Sequence, residues 1–127
     1  MITSICTHTI NKENNEQKKG ELLQGTLDML ILKTLTLGSM HGYAIVRRIQ
    51  QATDEVLVIE EGPLYPALHR MEKRSFIKSK WGLSENNRKA KNYSLTPKGR
   101  KQLETEVSMW ERLSAATIKV LSLSHEG

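Results

Sequence analysis

Apolar residues recur with helical spacing in the first two segments of the chain that show a regular pattern. The first segment has apolar residues at i, i+3, i+4 and i+8, namely Leu27, Leu30, Ile31 and Leu35. This spacing predicts an amphipathic helix, and Gly38 is expected to end it. A second, shorter helix is predicted from about Gly42 to Ala52, with a buried stripe made of Ile45, Val46 and Ile49.

The segment "EEGPLYPALHRMEKR", residues 60–74, predicts a third helix with an unusual start. We expect Gly62 to be its N-cap and Pro63 its first residue, because the first amides of a helix have no internal partner. Pro66 then falls near the fourth position, the last at which a missing amide is harmless. Successive steps of 100° place Leu64, Leu68 and Met71 on one face. The opposite face carries Pro66, His69, Arg70 and Lys73, with Tyr65 on its flank.

After this helix the apolar period changes from 3.6 residues to 2. The runs "FIKSKWG" and "KNYSLT" alternate, and the polar stretch "LSENNRKA" separates them. This pattern predicts a two-stranded β-hairpin with a long basic tip that holds the turn residues Asn86 and Asn87. The aromatic residues on or beside the strands are expected to pack rather than to stack on bases, and they are Phe76, Trp81 and Tyr93.

A long helix is predicted for the last part of the chain. Thr96 is expected to cap it, Pro97 to be its first residue, and no helix breaker follows before about Leu123. One apolar stripe runs along it, formed by Leu103, Val107, Trp110, Leu113, Thr117 and Val120. Because a domain of this size cannot cover such a stripe entirely, we expect these residues to form a homodimer interface, with part of the stripe packed on the first helix.

The order of these elements is typical of one fold class. Three short helices followed by a basic hairpin form a winged helix-turn-helix, a mainly α fold with a small β-hairpin, in which the third helix reads DNA. We therefore divide the chain into a mobile polar tail (residues 1–20), a DNA-binding domain (21–96) and a C-terminal dimerisation helix (97–124). The segment "EVLVIE" is interpreted as a short, β-rich connection.

The charge of the chain is concentrated in one region. Residues 70–101 contain eleven lysines and arginines but two acidic residues, so this region has a net charge of +9. The net charge of the whole chain is +5, and the remaining residues therefore have a net charge of −4. Such a block on a folded domain predicts a polyanionic partner, here double-stranded DNA. The candidate recognition residues are Pro63, Tyr65, Pro66, His69, Arg70 and Lys73. We call the hairpin together with its tip the wing. Its candidate DNA-binding residues are Asn86, Asn87, Arg88, Lys89 and Lys91.

Two other interpretations of the basic surface stay open. The charged residues could simply be solvated, or the winged helix could be an interaction module that binds a protein through the same face. Catalysis, a metal site and a cofactor are not expected, since Cys6 and His8 lie in a polar tail and no glycine loop suited to phosphate occurs. A single cysteine, no secretory signal and no long apolar run predict a cytoplasmic protein that does not enter a membrane.

The segments "LLQGTLDMLILKTL", "HGYAIVRRI", "EEGPLYPALHRMEKRSFI" and "YSLTPKGRKQL", with Trp110, closely resemble the PadR family of bacterial transcriptional regulators, in its compact branch with one C-terminal helix. The resemblance covers about residues 22–121. It implies a dimeric winged-helix repressor whose helix from Gly62 to Arg74 reads operator DNA. It also implies a small, often aromatic effector near the dimer interface, where Trp110 lies.

Two positions depart from the family pattern. Pro63 stands where the family usually has serine or threonine, so a hydroxyl group that could reach DNA is missing. Ser75 stands where a glycine usually ends the recognition helix. A left-handed backbone at Ser75 is expected to cost on the order of 1 kcal/mol.

Overall fold

The computed structural model describes residues 25–83 and 86–125, which form four helices and three short strands. Helix α1 covers residues 25–35, and strand β1 is Met40–His41. Helix α2 is Gly42–Ala52 and helix α3 is Glu61–Lys73. The remaining elements are β2 (Ile77–Leu83), β3 (Lys89–Leu95) and α4 (Pro97–Leu121). These elements confirm the predicted fold class. The predicted tail, with Cys6 and His8, lies outside the described residues.

The hydrophobic core lies where α1, α2, α3, the sheet and the start of α4 meet. The predicted stripes contribute to it, although Leu30 and Val46 are only partly buried. The largest side chains that are almost completely inaccessible are Ile31, Leu32, Ile45, Leu64, Leu68 and Ile77. Among the described residues, no helix is long and apolar enough to cross a bilayer.

The sheet has one strand more than the sequence predicts. Strands β2 and β3 form the predicted antiparallel hairpin, and β1 pairs with the other edge of β3 through Met40 opposite Tyr93. The hydroxyl groups of Ser39 and Ser94 lie 2.7 Å apart beside this pairing. The segment at 55–60, interpreted as β-rich, contains neither helix nor strand in the structure.

Helices α2 and α4 each begin at a residue whose side chain caps the helix. His41 caps α2 by accepting a hydrogen bond from the Ala44 amide at 3.3 Å. Thr96 caps α4, as predicted, by accepting from the Gly99 amide at 2.9 Å, while its hydroxyl is 2.6 Å from the Ser75 carbonyl oxygen. The Thr96 cap therefore also connects the start of α4 to the end of α3.

Gly99 allows α4 to approach the turn after α3 closely. A Cβ atom at this position would lie 2.0 Å from the Phe76 carbonyl oxygen, so no larger residue fits without displacing the backbone. The close contact brings the start of α4 directly against the turn that follows α3.

Candidate nucleic-acid interface

Helix α3 has one buried face and one outward face, as its sequence predicts. Leu64, Leu68 and Met71 are buried in the core together with Ala67. The outward face exposes Tyr65, Pro66, His69 and Lys73, and Pro63 is exposed at the helix start. Five of the six predicted recognition residues are therefore accessible to a partner. The sixth, Arg70, is only half-exposed.

The start of α3 differs from the prediction. The helix begins at Glu61 with Glu60 as its N-cap, so Gly62 is not the cap and Pro63 is the third residue rather than the first. The pattern could not separate these cases, because a missing amide is harmless anywhere among the first three positions. The carboxylate of Glu61 in the first turn also favours the earlier start through the helix dipole.

Pro66 consequently lies inside α3, at its sixth residue, where an amide would otherwise bond to the Gly62 carbonyl group. Gly62 is exposed, so water can satisfy that carbonyl group instead. The prediction that Pro66 stands at the last harmless position is therefore wrong. Its ring stiffens the outward face of the helix at the cost of one backbone hydrogen bond.

The side chain of Arg70 is held by α1. Its guanidinium group donates a hydrogen bond to the Asp28 carboxylate, with 2.8 Å between Nη2 and Oδ1. Burial raises the pKa of Asp28, although the hydrogen bond and the charges of Arg70 and Arg74 act in the opposite direction. Arg70 thus connects α3 to α1, a contact between residues 42 positions apart that periodicity could not indicate.

Tyr65 lies where α3 meets the start of α2. A Cβ atom on Gly42 would be 3.4 Å from Cε1 of Tyr65 and 3.5 Å from its hydroxyl oxygen, so the ring packs against this glycine. The side chain is nevertheless about half-exposed. The hydroxyl group of Tyr65 is therefore positioned by packing at the junction of α2 and α3.

The exposed face of α2 adds a cationic site that was not among the predicted residues. Tyr43 is exposed, and the Arg47 guanidinium carbon lies 5.8 Å from the centre of its ring. Arg48 is exposed beside Arg47. The first helix of a helix-turn-helix commonly crosses the DNA backbone, so this outward arginine pair could have been selected from the sequence.

The basic tip of the hairpin is shorter than predicted. Asn86, Asn87 and Arg88 are exposed in the turn, where Asn87 has a left-handed backbone with φ 63°. Lys89 and Lys91 are in strand β3 instead, opposite Leu83 and Trp81. The polar stretch did not reveal this boundary because exposed lysines in a strand and lysines in a turn look alike in sequence.

The aromatic residues near the hairpin differ in their exposure. Tyr93 is buried and Phe76 is partly buried, which agrees with the packing role predicted for both. Trp81 is 59% exposed, so the same prediction is wrong for this residue. The ammonium groups of Lys89 and Lys91 lie 5.7 and 5.5 Å from the centre of its ring.

The apolar stripe of α4 is covered only at its beginning. Leu103 is buried and Val107 packs against the core of the same chain. Trp110, Leu113, Thr117 and Val120, the other predicted dimerisation residues, are all exposed. Met109, Ile118 and Leu121 are exposed on the same helix. The second half of α4 therefore presents a large uncovered apolar surface.

Comparison with known proteins shows similarity to transcriptional regulators. Residues 31–105 match the model of the transcriptional regulator PadR-like family. A transcriptional regulator from Clostridium thermocellum is 35% identical, with a TM-score of 0.71 over 81% of this chain and 99% of that chain. A PadR family regulator from Eggerthella lenta is 28% identical, with a TM-score of 0.72 over 88% and 96%. Uncharacterized protein X of Lysinibacillus sphaericus is 28% identical over 86% of this chain and 96% of its own length.

Proposed function

The chain belongs to the PadR-like family of transcriptional regulators, and on this premise we propose that it is a dimeric repressor of a palindromic operator. The family accounts for regulation through DNA and contains regulators rather than enzymes. Repression, the operator symmetry and the dimer are our proposal. In a bacterial cell such a protein would work in the cytoplasm, where the DNA lies.

The outward face of α3 is the observation that supports this proposal most strongly. Tyr65, Pro66, His69 and Lys73 form one exposed surface with no apolar core residue among them. A helix of this kind enters the major groove, where side chains can distinguish base pairs by their hydrogen-bonding groups. His69 can hydrogen-bond to a base edge, and Lys73 can bond to a base edge or a phosphate.

Arg70 has a different role in the proposed complex from the one that its sequence position suggests. Since its guanidinium group bonds to Asp28, we assign it to holding α3 at a fixed angle to α1 rather than to reading bases. Pro63 stiffens the start of the helix, but it cannot make the hydroxyl contact with DNA that a serine or threonine could make at this position. Specificity would then depend mainly on Tyr65, His69 and Lys73.

The wing and α2 would hold the protein on the DNA backbone. Lys89, Lys91 and Arg88 form a basic group on the hairpin, while Arg47 and Arg48 form another on α2. Contacts with phosphates fix the register of a protein on the duplex without carrying sequence information. Asn86 and Asn87 at the turn can contact the adjacent groove.

Helix α4 would form the dimer through its uncovered apolar surface. Trp110, Leu113, Thr117 and Val120 would pack against their symmetry equivalents, since a two-fold interface uses the same patch twice. A small aromatic effector is proposed to bind beside Trp110, which is 49% exposed on this surface. Binding there could alter the spacing of the two α3 helices.

A salt titration of binding to the region upstream of the gene tests the proposal. Replacing both Arg88 and Lys89 by alanine should weaken binding to every duplex and flatten the salt dependence by about one unit for each phosphate that is no longer neutralised. An unchanged slope would exclude the wing from the mechanism. Failure of the wild-type protein to shift any genomic fragment at low salt would favour the protein-interaction module instead.

A further inference from the structure

We propose that Trp81 and Leu83 form an apolar contact between the wing and the deoxyribose rings of the DNA backbone. This inference rests on the proposed function and specifies how the hairpin engages its ligand. Lysines alone would give the wing only electrostatic attraction to phosphates. The indole and leucine side chains would add contacts with the sugars that lie between the phosphates.

The register of the hairpin places both apolar residues on the side of the sheet that faces the core. Residues directly opposite each other in an antiparallel pair share a face. Ile77 is paired with Leu95, Ser79 with Tyr93, Trp81 with Lys91, and Leu83 with Lys89. The face that starts with the buried residues Ile77 and Tyr93 therefore continues outward to Trp81 and Leu83.

That face of the hairpin is also the one adjacent to α3. The Ser79 hydroxyl group donates a hydrogen bond to the carboxylate of Glu72, which lies on α3. Tyr93, on the same face of the hairpin, also lies near α3. Burial is the main cause that raises the pKa of Tyr93, and the charges of Glu72 and Tyr65, both on α3, raise it further. A duplex bound to the outward face of α3 would consequently meet the wing on the side that carries Trp81.

Trp81 and Leu83 are both largely exposed, and no core residue of the described chain packs over them. Their exposed fractions are 59% and 68%, whereas Ile77 on the same strand is 1% exposed. Exposing two large apolar side chains next to each other costs free energy in water that a bound partner would recover. A function in binding explains their presence at the outer end of the strand.

The charges around the indole ring indicate what kind of partner fits. Lys89 and Lys91 both approach the ring, and neither ammonium group forms an ion pair with a carboxylate in the residues described. Two cations that flank a flat apolar group complement a surface that alternates anionic and apolar parts. The sugar-phosphate backbone has this alternation, and apolar side chains are known to contact DNA in the minor groove.

The opposite face of the hairpin, beside Trp81 and Leu83, carries no large apolar side chain. Lys80 is paired with Asn92, and Gly82 with Ala90. A Cβ atom on Gly82 would lie 2.9 Å from Nδ2 of Asn92, so the asparagine side chain occupies the space over the glycine. Large apolar groups are therefore confined to the face with Trp81, which agrees with a single-sided contact.

Two variants of Trp81 test the inference on the full chain. Trp81→Ala should weaken binding to a duplex from the upstream region by about tenfold, because the apolar area of the indole is no longer buried, while the salt slope stays unchanged because the same phosphates remain neutralised. Trp81→Phe should keep most of the affinity since it retains an apolar ring. Leu37→Ala, which removes a similarly exposed apolar side chain from the turn after α1, is the matched control and should bind like the wild type.

Tryptophan fluorescence provides a second measurement that does not depend on the folding of the alanine variant. In Trp110→Phe, where Trp81 is the one remaining tryptophan, the emission should change when the duplex is added. Equal affinity of wild type and Trp81→Ala, or an emission of Trp110→Phe that stays unchanged although the duplex is bound, would overturn the inference while leaving DNA binding intact. Absence of any binding by the wild type would overturn the proposed function, and this inference with it.

Discussion

Arg70 of α3 and Asp28 of α1 form an ion pair with 2.8 Å between Nη2 and Oδ1, in a protein whose α3 helix is proposed to read DNA. The two side chains are 39% and 22% exposed, so the pair lies at the edge of the core. A basic residue that would otherwise be the natural candidate for a base contact is used to hold the helix. Its contribution to DNA binding is therefore expected to be indirect.

We predict that Arg70→Ala lowers the free energy of unfolding by about 1 kcal/mol, because it leaves the Asp28 carboxylate without its partner in a half-buried position. Urea denaturation measures this change. In the double variant with Asp28→Asn the two changes should not be additive, since both remove the same interaction. Strict additivity would mean that the two residues do not act on each other.

The same pair gives a prediction for DNA binding. If Arg70 acts by positioning α3, its replacement should reduce affinity for the operator and should do so less when Asp28 is already asparagine. If Arg70 touched a base, the reduction would be equally large in both backgrounds. Gel shifts with the wild type, the two single variants and the double variant distinguish the two roles.

The pH dependence of stability follows from the raised pKa of Asp28. A carboxyl group whose pKa in the folded state exceeds its ordinary value of 3.8 favours folding in its protonated form. As the pH rises from 3.8 through the folded-state pKa, the wild type should lose stability relative to Asp28→Asn, and the difference should then become constant. A wild type that loses stability relative to Asp28→Asn as the pH falls through this window would show that the attraction of Arg70 outweighs burial.

Ser75 provides a test of backbone strain at the end of α3. Its φ is +65°, and the Phe76 amide bonds to the Met71 carbonyl oxygen while the Ser75 amide bonds to that of Glu72. These two bonds form a Schellman motif, in which glycine is preferred at the left-handed position. Serine therefore occupies the left-handed position at which the family usually has glycine.

We therefore expect Ser75→Gly to raise the free energy of unfolding by about 1 kcal/mol, since glycine adopts this conformation without steric cost. Thermal or urea denaturation would measure the gain. Ser122→Gly is the matched control, because φ there is −89° and glycine brings no relief of strain. A gain at Ser122 as large as that at Ser75 would show that the left-handed backbone is not the cause.

The apolar surface of α4 gives a prediction for assembly. Leu113→Glu should shift the protein from dimer to monomer at micromolar concentration, because a charged group in an apolar interface loses its hydration without a partner. Sedimentation velocity measures the change. Ala115→Glu, at a position about 200° away around the helix, should leave the dimer intact. Equal sedimentation of wild type and Leu113→Glu would place the interface elsewhere.

The periodic parts of this fold and the cap of α4 could be predicted from the sequence, because the residues that determine them lie close together in the chain. The cap at Thr96 and the buried faces of α2 and α3 are of this kind. The strand Met40–His41 could not be predicted, since two residues cannot display an alternating pattern and their pairing depends on Tyr93 and Asn92.

The candidate site was only partly predictable, because some of its features depend on contacts between residues far apart in the chain. The outward face of α3 follows from helical periodicity, so four exposed side chains on it could be selected correctly as accessible. The position of Arg70 depends on Asp28 in another helix, and the exposure of Trp81 depends on how far the core extends along the hairpin. Both are properties of tertiary packing.

Selection of bound duplexes from a random pool would show whether the protein recognises an inverted repeat. A dimer that presents two copies of α3 should enrich a short sequence repeated in inverted orientation, with half-sites about one helical turn, or roughly 10 base pairs, apart. Enrichment of such an inverted repeat by the wild-type protein is the result we predict. A pool that remains random after repeated rounds, although duplexes are retained, would show that binding is not sequence-specific and that the protein is not an operator-binding repressor.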